Sequence, residues 1–123
     1  MNAKLTPTPG PDPEEYAMTT TSVADNPEKS RYEITADGEL AGFAEYFRHA
    51  GEHDDEIAFI HTEIDPRFGG QGLGGILARA VLDDARAREL AVLPYCPFIR
   101  GWLTKHPDYH DLVPAAQHER FGL

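Results

Sequence analysis

The stretch Ile57-Ala58-Phe59-Ile60-His61-Thr62-Glu63-Ile64-Asp65-Pro66-Arg67-Phe68-Gly69-Gly70-Gln71-Gly72-Leu73-Gly74-Gly75-Ile76-Leu77-Ala78-Arg79-Ala80-Val81 changes its hydrophobic period halfway along. From Glu56 to Ile64 the alternation predicts a strand, with Ile57, Phe59, His61 and Glu63 on one face and Ala58, Ile60, Thr62 and Ile64 on the other. Beyond the glycines, Leu73, Ile76, Leu77, Ala80 and Val81 recur at i, i+3, i+4, i+7 and i+8. That is the apolar stripe of an amphipathic helix, which extends to about Arg88. A strand that feeds a helix through a glycine turn is half of a crossover unit. Leu90 to Pro94 completes it as a short buried strand parallel to the first.

Upstream, Arg31 to Asp37 alternates with Tyr32, Ile34 and Ala36 on one face, and Asp37-Gly38 is a two-residue hairpin signal. Glu39 to Arg48 returns antiparallel, with Phe43 and Phe47 on one face and Leu40, Ala44 and Tyr46 on the other. A polar loop, Gly51 to Asp55, leads to the strand at Glu56. Downstream, Pro97 suits the first position of a second helix, striped by Phe98, Ile99, Trp102, Leu103 and His106 and ended by Pro107. The fold class is therefore a compact α/β (α+β) domain: an antiparallel β-meander, a β-α-β crossover and a C-terminal helix.

Five of the ten prolines fall in the first 27 residues. Residues 1–21, rich in Pro and Thr, bury too little apolar surface to offset their ordering entropy and are expected to form a disordered tail. Residues 22–113 are the expected domain, and the short polar segment 114–123 is expected to fray. Across 123 residues, 11 basic and 21 acidic side chains leave a net charge of −10. That balance argues against nonspecific binding to nucleic acid or an anionic membrane. A single cysteine rules out an internal disulfide framework. No apolar run approaches a bilayer span, and no secretory leader is seen, so a cytoplasmic monomer or weak dimer is expected. Charge is uneven, however. Ile64 to Lys105 carries six basic and four acidic residues, and the rest of the chain is at −12. A polyanionic ligand therefore belongs at the glycine-rich part.

Three phosphate-binding motifs compete for the glycine turn. A P-loop needs Lys and Ser/Thr after its last glycine, and neither is there. Gly70-Gln71-Gly72-Leu73-Gly74-Gly75 fits G-x-G-x-x-G, but no acid ends the next strand and the chain is too short for a doubly wound sheet. The third is Arg67-x-x-Gly70-x-Gly72, which resembles the pyrophosphate loop of GNAT-type N-acetyltransferases. His61-Thr62-Glu63-Ile64, Cys96-Pro97-Phe98 and His106-Pro107-Asp108-Tyr109 follow in the order seen in a short stand-alone GNAT-like subfamily, and Asp25-Asn26, Arg31-Tyr32-Glu33 and Gly38-Glu39 resemble the start of that domain.

The resemblance implies that acetyl-coenzyme A is the co-substrate and an amine the acceptor, with no metal. Together with charge and strand geometry, it makes Ile64, Arg67, Phe68, Gly69, Gly70, Gln71, Gly72, Leu73, Gly74, Cys96 and Arg100 the expected coenzyme-binding residues. The pantetheine arm would lie where the two parallel strands splay, paired with backbone near Ile64. Simple electrostatics agrees: unpaired N–H groups at the turn suit a pyrophosphate, and Arg67 with Arg100 or Lys105 suits the ribose phosphate.

Acetyl transfer to an amine needs a base, oxyanion donors and an acid for the leaving thiolate. Cys96, between a strand and a Pro-started helix, is a candidate nucleophile or pocket wall, or else a small buried hydrophobe. Glu63 and His61, expected on an apolar strand face, are candidate bases; satisfied core groups are the alternative. Tyr109 is a candidate acid for the departing thiolate, against a packing role at the helix end. His106 and His110 with Asp108 and Asp111 invite a zinc site, but Pro107 breaks the helix that would align the two histidines. A non-catalytic acyl-coenzyme A-binding or regulatory module is the competing function, because fold alone does not fix activity.

Overall fold

The computed structural model describes residues 20–50 and 55–123. The expected tail up to residue 19 and most of the polar loop, 51–54, lie outside the described residues. Five strands form one sheet in sequence order: β1 (Thr21–Asn26), β2 (Arg31–Ala36), β3 (Glu39–Ala50), β4 (Asp55–Ile64) and β5 (Ala91–Pro94). The first four pair antiparallel, and β4 pairs with β5 in parallel across the helix α1 (Leu73–Ala87). A second helix, α2 (Pro97–Thr104), follows β5. The meander, crossover and final helix are as expected.

β1 is an addition. Its sequence, Thr-Ser-Val-Ala-Asp-Asn, offers one large apolar side chain, so alternation alone does not announce a strand. Pairing with β2 makes it one, Val23 opposite Ile34 and Asp25 opposite Tyr32. Thr21, at the edge of the expected tail, is its first residue.

The core lies between the sheet and α1. Tyr32, Ile34, Ala36, Ala44, Tyr46, Ile57 and Phe59 face Leu73, Leu77, Ala78, Val81, Leu82 and Ala85, all buried. Each large aliphatic side chain removed from water there contributes about 1.5–3 kcal/mol. Polar ties pin the far end of α1: the Tyr32 hydroxyl donates to Asp84, the Tyr46 hydroxyl donates to Asp25, and Arg88 pairs with Asp84 at 3.1 Å and Asp25 at 3.5 Å.

Two β-bulges reset which side chains face the core. Between Ile34 and Thr35 the register steps from Gly42 to Leu40, which leaves Ala41 as the extra residue. Ala41 turns inward, and Leu40, expected on one face with Ala44 and Tyr46, is exposed where those two are buried. The second bulge leaves Ile60 opposite no residue, because Tyr46 faces Phe59 and Glu45 faces His61. A bulge inserts one residue and so reverses the alternation beyond it. Ile57 and Phe59 are buried, whereas the side chains of His61 and Glu63 are each 54% exposed. His61 and Glu63 therefore do not share the apolar face of Ile57 and Phe59, and Thr62 takes the inward position.

The C-terminal segment packs rather than frays. Phe121 is buried with its ring edge-on to Tyr95, and Val113 is buried too. Imidazole donors reach carbonyls at the ends of elements: His118 Nε2 donates to Val113 O at 2.8 Å, just after the 3-10 turn Pro107–Leu112, and His110 Nε2 to Leu103 O at 2.6 Å, in the last turn of α2. One buried aromatic and these donors hold a stretch whose composition reads as polar.

Candidate functional site

The parallel pairing of β4 and β5 stops early. Its last partners are Phe59 and Pro94, and the Cys96 N–H donates to Phe59 O at 2.8 Å just beyond them. The chain then leaves into α2, started by Pro97, which supplies no N–H and fixes a helical φ. β4 continues through Ile60–Ile64 bonded to β3 on one side only. A wedge opens there, with a free strand edge on one wall and Tyr95, Cys96 and Phe98 leading away on the other.

The glycine turn sits at the wide end of the wedge. Asp65 accepts the Arg67 N–H at 2.9 Å and starts a 3-10 turn, Pro66–Phe68. Gly70 at φ +79° and Gly72 at φ +74° then reverse the chain into α1, a left-handed conformation that costs other residues appreciable strain. Among the described residues, the N–H groups of Gly70, Gln71 and Gly72 have no backbone acceptor. The first turn of α1 adds its own unpaired donors and the positive end of the helix dipole. The result is a turn of backbone donors of the kind that can accept an anion.

The side chains are arranged less simply. Arg67 is two-thirds exposed, and its Nη2 pairs with Asp65 at 3.2 Å. The Arg67 backbone N–H first, and its guanidinium second, hold the Asp65 carboxyl below the usual range. Arg67 is therefore held at the turn by a partner it would share with any incoming phosphate. Leu73 faces the core. Gly74 answers a packing need: a Cβ there would lie 2.6 Å from Phe98 Cζ, so the glycine lets α2 close on α1.

Cys96 precedes α2 and is 2% exposed. Its Sγ lies 3.3 Å from Thr62 Oγ1, so the inward turn of Thr62 after the bulge brings a hydroxyl and a thiol together inside the wedge. His61 and Glu63 lie on the opposite face of β4, with His61 Nε2 3.7 Å from Glu63 Oε2 and the His61 ring beside Phe43. Tyr109 is placed apart from both sets. Its hydroxyl donates to Asp83 at 2.7 Å and accepts from Arg79 at 3.0 Å, and its ring stands edge-on to Trp102. The hydrogen bond to Asp83, then burial, push the phenol up, which makes it a weaker acid. His106 stacks on Trp102 at 3.6 Å and its Nδ1 donates to the Trp102 carbonyl at 2.7 Å, so it serves the end of α2. Thr62 escaped the sequence argument because unbroken alternation put it on the wrong face; only its place inside His61-Thr62-Glu63 marked it.

The splayed parallel pair and the glycine turn between β4 and α1 define a GNAT-type α/β domain. Residues 31–112 match the model of the GCN5-related N-acetyl-transferase family, and the chain belongs to that family. In fold it is similar to the ribosomal-protein-alanine N-acetyltransferase from Brucella melitensis biovar Abortus 2308, with TM-score 0.50 and 18% sequence identity. That likeness covers 69% of this chain and 61% of the Brucella protein. No curated protein matches the sequence. Among the described residues, no helix is long and apolar enough to cross a membrane.

Proposed function

We propose that this protein is an acetyl-coenzyme A-dependent N-acyltransferase that transfers an acetyl group directly to an amine. The observation that carries the proposal is the open edge of β4 beyond Phe59, running from the Thr62–Cys96 pair to the unpartnered N–H groups of Gly70, Gln71 and Gly72. These residues fit a long thioester with a diphosphate: backbone donors for the anion at one end, a strand edge for the amide-containing arm, and a narrow end lined by a hydroxyl and a thiol.

In this reading His61 takes a proton from the acceptor amine, with the Glu63 carboxylate 3.7 Å from its Nε2. The nitrogen attacks the thioester carbonyl, the carbon–sulfur bond breaks, and the thiolate leaves and takes up the proton. Both side chains are open to solvent, so an amine reaches them from the outer face while the thioester lies in the wedge. Thr62 and Cys96 supply O–H and S–H groups beside the reacting carbon. Cys96 is a wall in this scheme. Tyr109, committed to Asp83, holds α1 to the C-terminal segment.

Purified protein incubated with acetyl-coenzyme A and a panel of primary amines should release free thiol and form acetylated amine, read by mass spectrometry. His61→Ala should lower kcat by about 100-fold. Cys96→Ala should keep most of the turnover, and the intact wild-type protein should gain no acetyl adduct of about 42 Da. An adduct on Cys96 together with an inactive Cys96→Ala would replace direct transfer by a covalent route.

A further inference from the structure

The start of β3 and the end of β4 enclose a cavity of about 300 Å³ that no described residue fills. Leu40, Phe43 and Pro66 give it an apolar wall, and Glu63 and Asp65 supply carboxylates. The bulge at Ala41 shapes it: the extra residue turns inward, and Leu40 is left 44% exposed on the cavity wall. A few polar groups set in an apolar concavity are the usual make-up of a small-molecule site, and this volume sits at the lower end of their range, about 300–1,000 Å³.

The cavity is continuous with the place where the acceptor amine is read to react. Phe43 is the register partner of Glu63, and His61 lies two residues before Glu63 on the same exposed face. Glu63 thus borders the cavity and also lies 3.7 Å from His61 Nε2, and the Phe43 ring is 6.2 Å from the His61 ring. Charge in this region is one-sided. Asp65 is taken by Arg67, and Arg31, which lies over the Phe43 ring, is paired with Glu33. Glu45 faces His61 across the β3–β4 ladder. Among the described residues, neither Glu45 nor Glu63 has a Lys or Arg partner. Two carboxylates beside the base, with none of the fold's own cations on them, favour a cation brought from outside.

We propose that this cavity selects the acceptor: a small aliphatic amine that carries a second cationic nitrogen, its chain against Leu40, Phe43 and Pro66 and its distal ammonium on Glu63. The inference rests on the reading that His61 receives the reacting amine. Distance sets the spacer. His61 Nε2 and Glu63 Oε2 are 3.7 Å apart. With a hydrogen bond of about 3 Å at each, two nitrogens about 6–8 Å apart reach both, the span of about four or five methylenes. Charge sets the chemistry. An uncharged alkyl or aryl tail would match the wall but leave the Glu63 carboxylate without a partner.

Steady-state kinetics on the full chain with acetyl-coenzyme A tests it on three acceptors: 1,5-diaminopentane, n-hexylamine, which replaces one ammonium by a methyl group, and a lysine-containing peptide. Wild type should show a kcat/KM about tenfold higher for the diamine than for n-hexylamine, with the difference in KM. Two equivalent reactive ends account for only about twofold of that. Glu63→Gln should bring the KM values of the two amines within about twofold of each other, whatever it does to kcat. Leu40→Arg, at an exposed position and checked for folding by circular dichroism, should raise KM for the diamine about tenfold and for n-hexylamine less, because it sets a like charge on the cavity wall. Equal wild-type kcat/KM for the two amines, a Glu63→Gln protein that keeps the preference, or turnover of the peptide alone overturns the cavity assignment and leaves the acyl-transfer reading standing. Acetylation of no amine, in this set or the wider panel, overturns both.

Discussion

Gly42→Ala tests the close approach of β3 and β4 that sets the open edge. Gly42 pairs with Ile64, and a Cβ built on it lies 2.5 Å from the Glu63 carbonyl oxygen and 2.6 Å from Ile64 Cδ1. The Ile64 methyl can rotate away. The carbonyl belongs to the backbone of the paired strand and cannot, so the strands must part by about 0.5 Å to reach the shortest separation real Cβ atoms show. Overpacking of this kind costs about 1–3 kcal/mol, and the ordinary gain from replacing a strand glycine returns about 0.5–1 of it. Because rigid backbone sits on the far side, the loss falls toward the upper end, a net of about 2 kcal/mol. For a domain of this size that lowers Tm by roughly 6–10 °C. Calorimetry and urea denaturation both read it, the latter as a shift in midpoint at constant slope. Gly101→Ala is the opposite-sign control: with nothing within 4 Å of its Cβ, it should gain about 0.5–1 kcal/mol and raise Tm by a few degrees. A Gly42→Ala protein melting within about 1 °C of wild type would show that the strands are not held at this separation.

Gly72→Asp should weaken acetyl-coenzyme A binding at least about tenfold in a protein that still folds, since it adds a side chain at φ +74° and a negative charge where phosphate must approach; unchanged calorimetric affinity would remove the pyrophosphate from the turn. Burial first, and the hydrogen bond to Asp25 second, push the Tyr46 phenol from 10.0 up to about 12. Its proton is held more tightly in the folded state, so this stabilisation is complete below pH 10 and is lost as pH rises toward 12; Tm should fall steeply over that window, and Tyr46→Phe should flatten the fall. An identical alkaline slope in the variant would contradict the assignment. Phe121→Ala should lower stability by about 3–5 kcal/mol in urea, the range for losing a buried aromatic, whereas a frayed end would show no change.

Local patterns in the chain determined the elements. The switch from period two to period 3.6 across Arg67–Gly75, the Asp37-Gly38 turn and Pro97 each act through backbone geometry within a few residues, and β2, β3, β4, α1, β5 and α2 all form where those signals stand. The glycine turn was legible for the same reason, since its conformation is set by the glycines themselves. What tertiary structure decided was the face on which the candidate residues fall. A strand has no intrinsic preference for a bulge at Ile60 over continued alternation; pairing with β3 chooses it, and that one extra residue moves His61 and Glu63 to the open face and turns Thr62 toward Cys96. β1 and the C-terminal segment likewise carry too few apolar residues to declare themselves. Thr21–Asn26 becomes a strand because β2 offers a free edge, and Phe121 is ordered because it packs against Tyr95 and into the core. Contacts between residues distant in sequence supply that free energy, and no local window of the chain contains them.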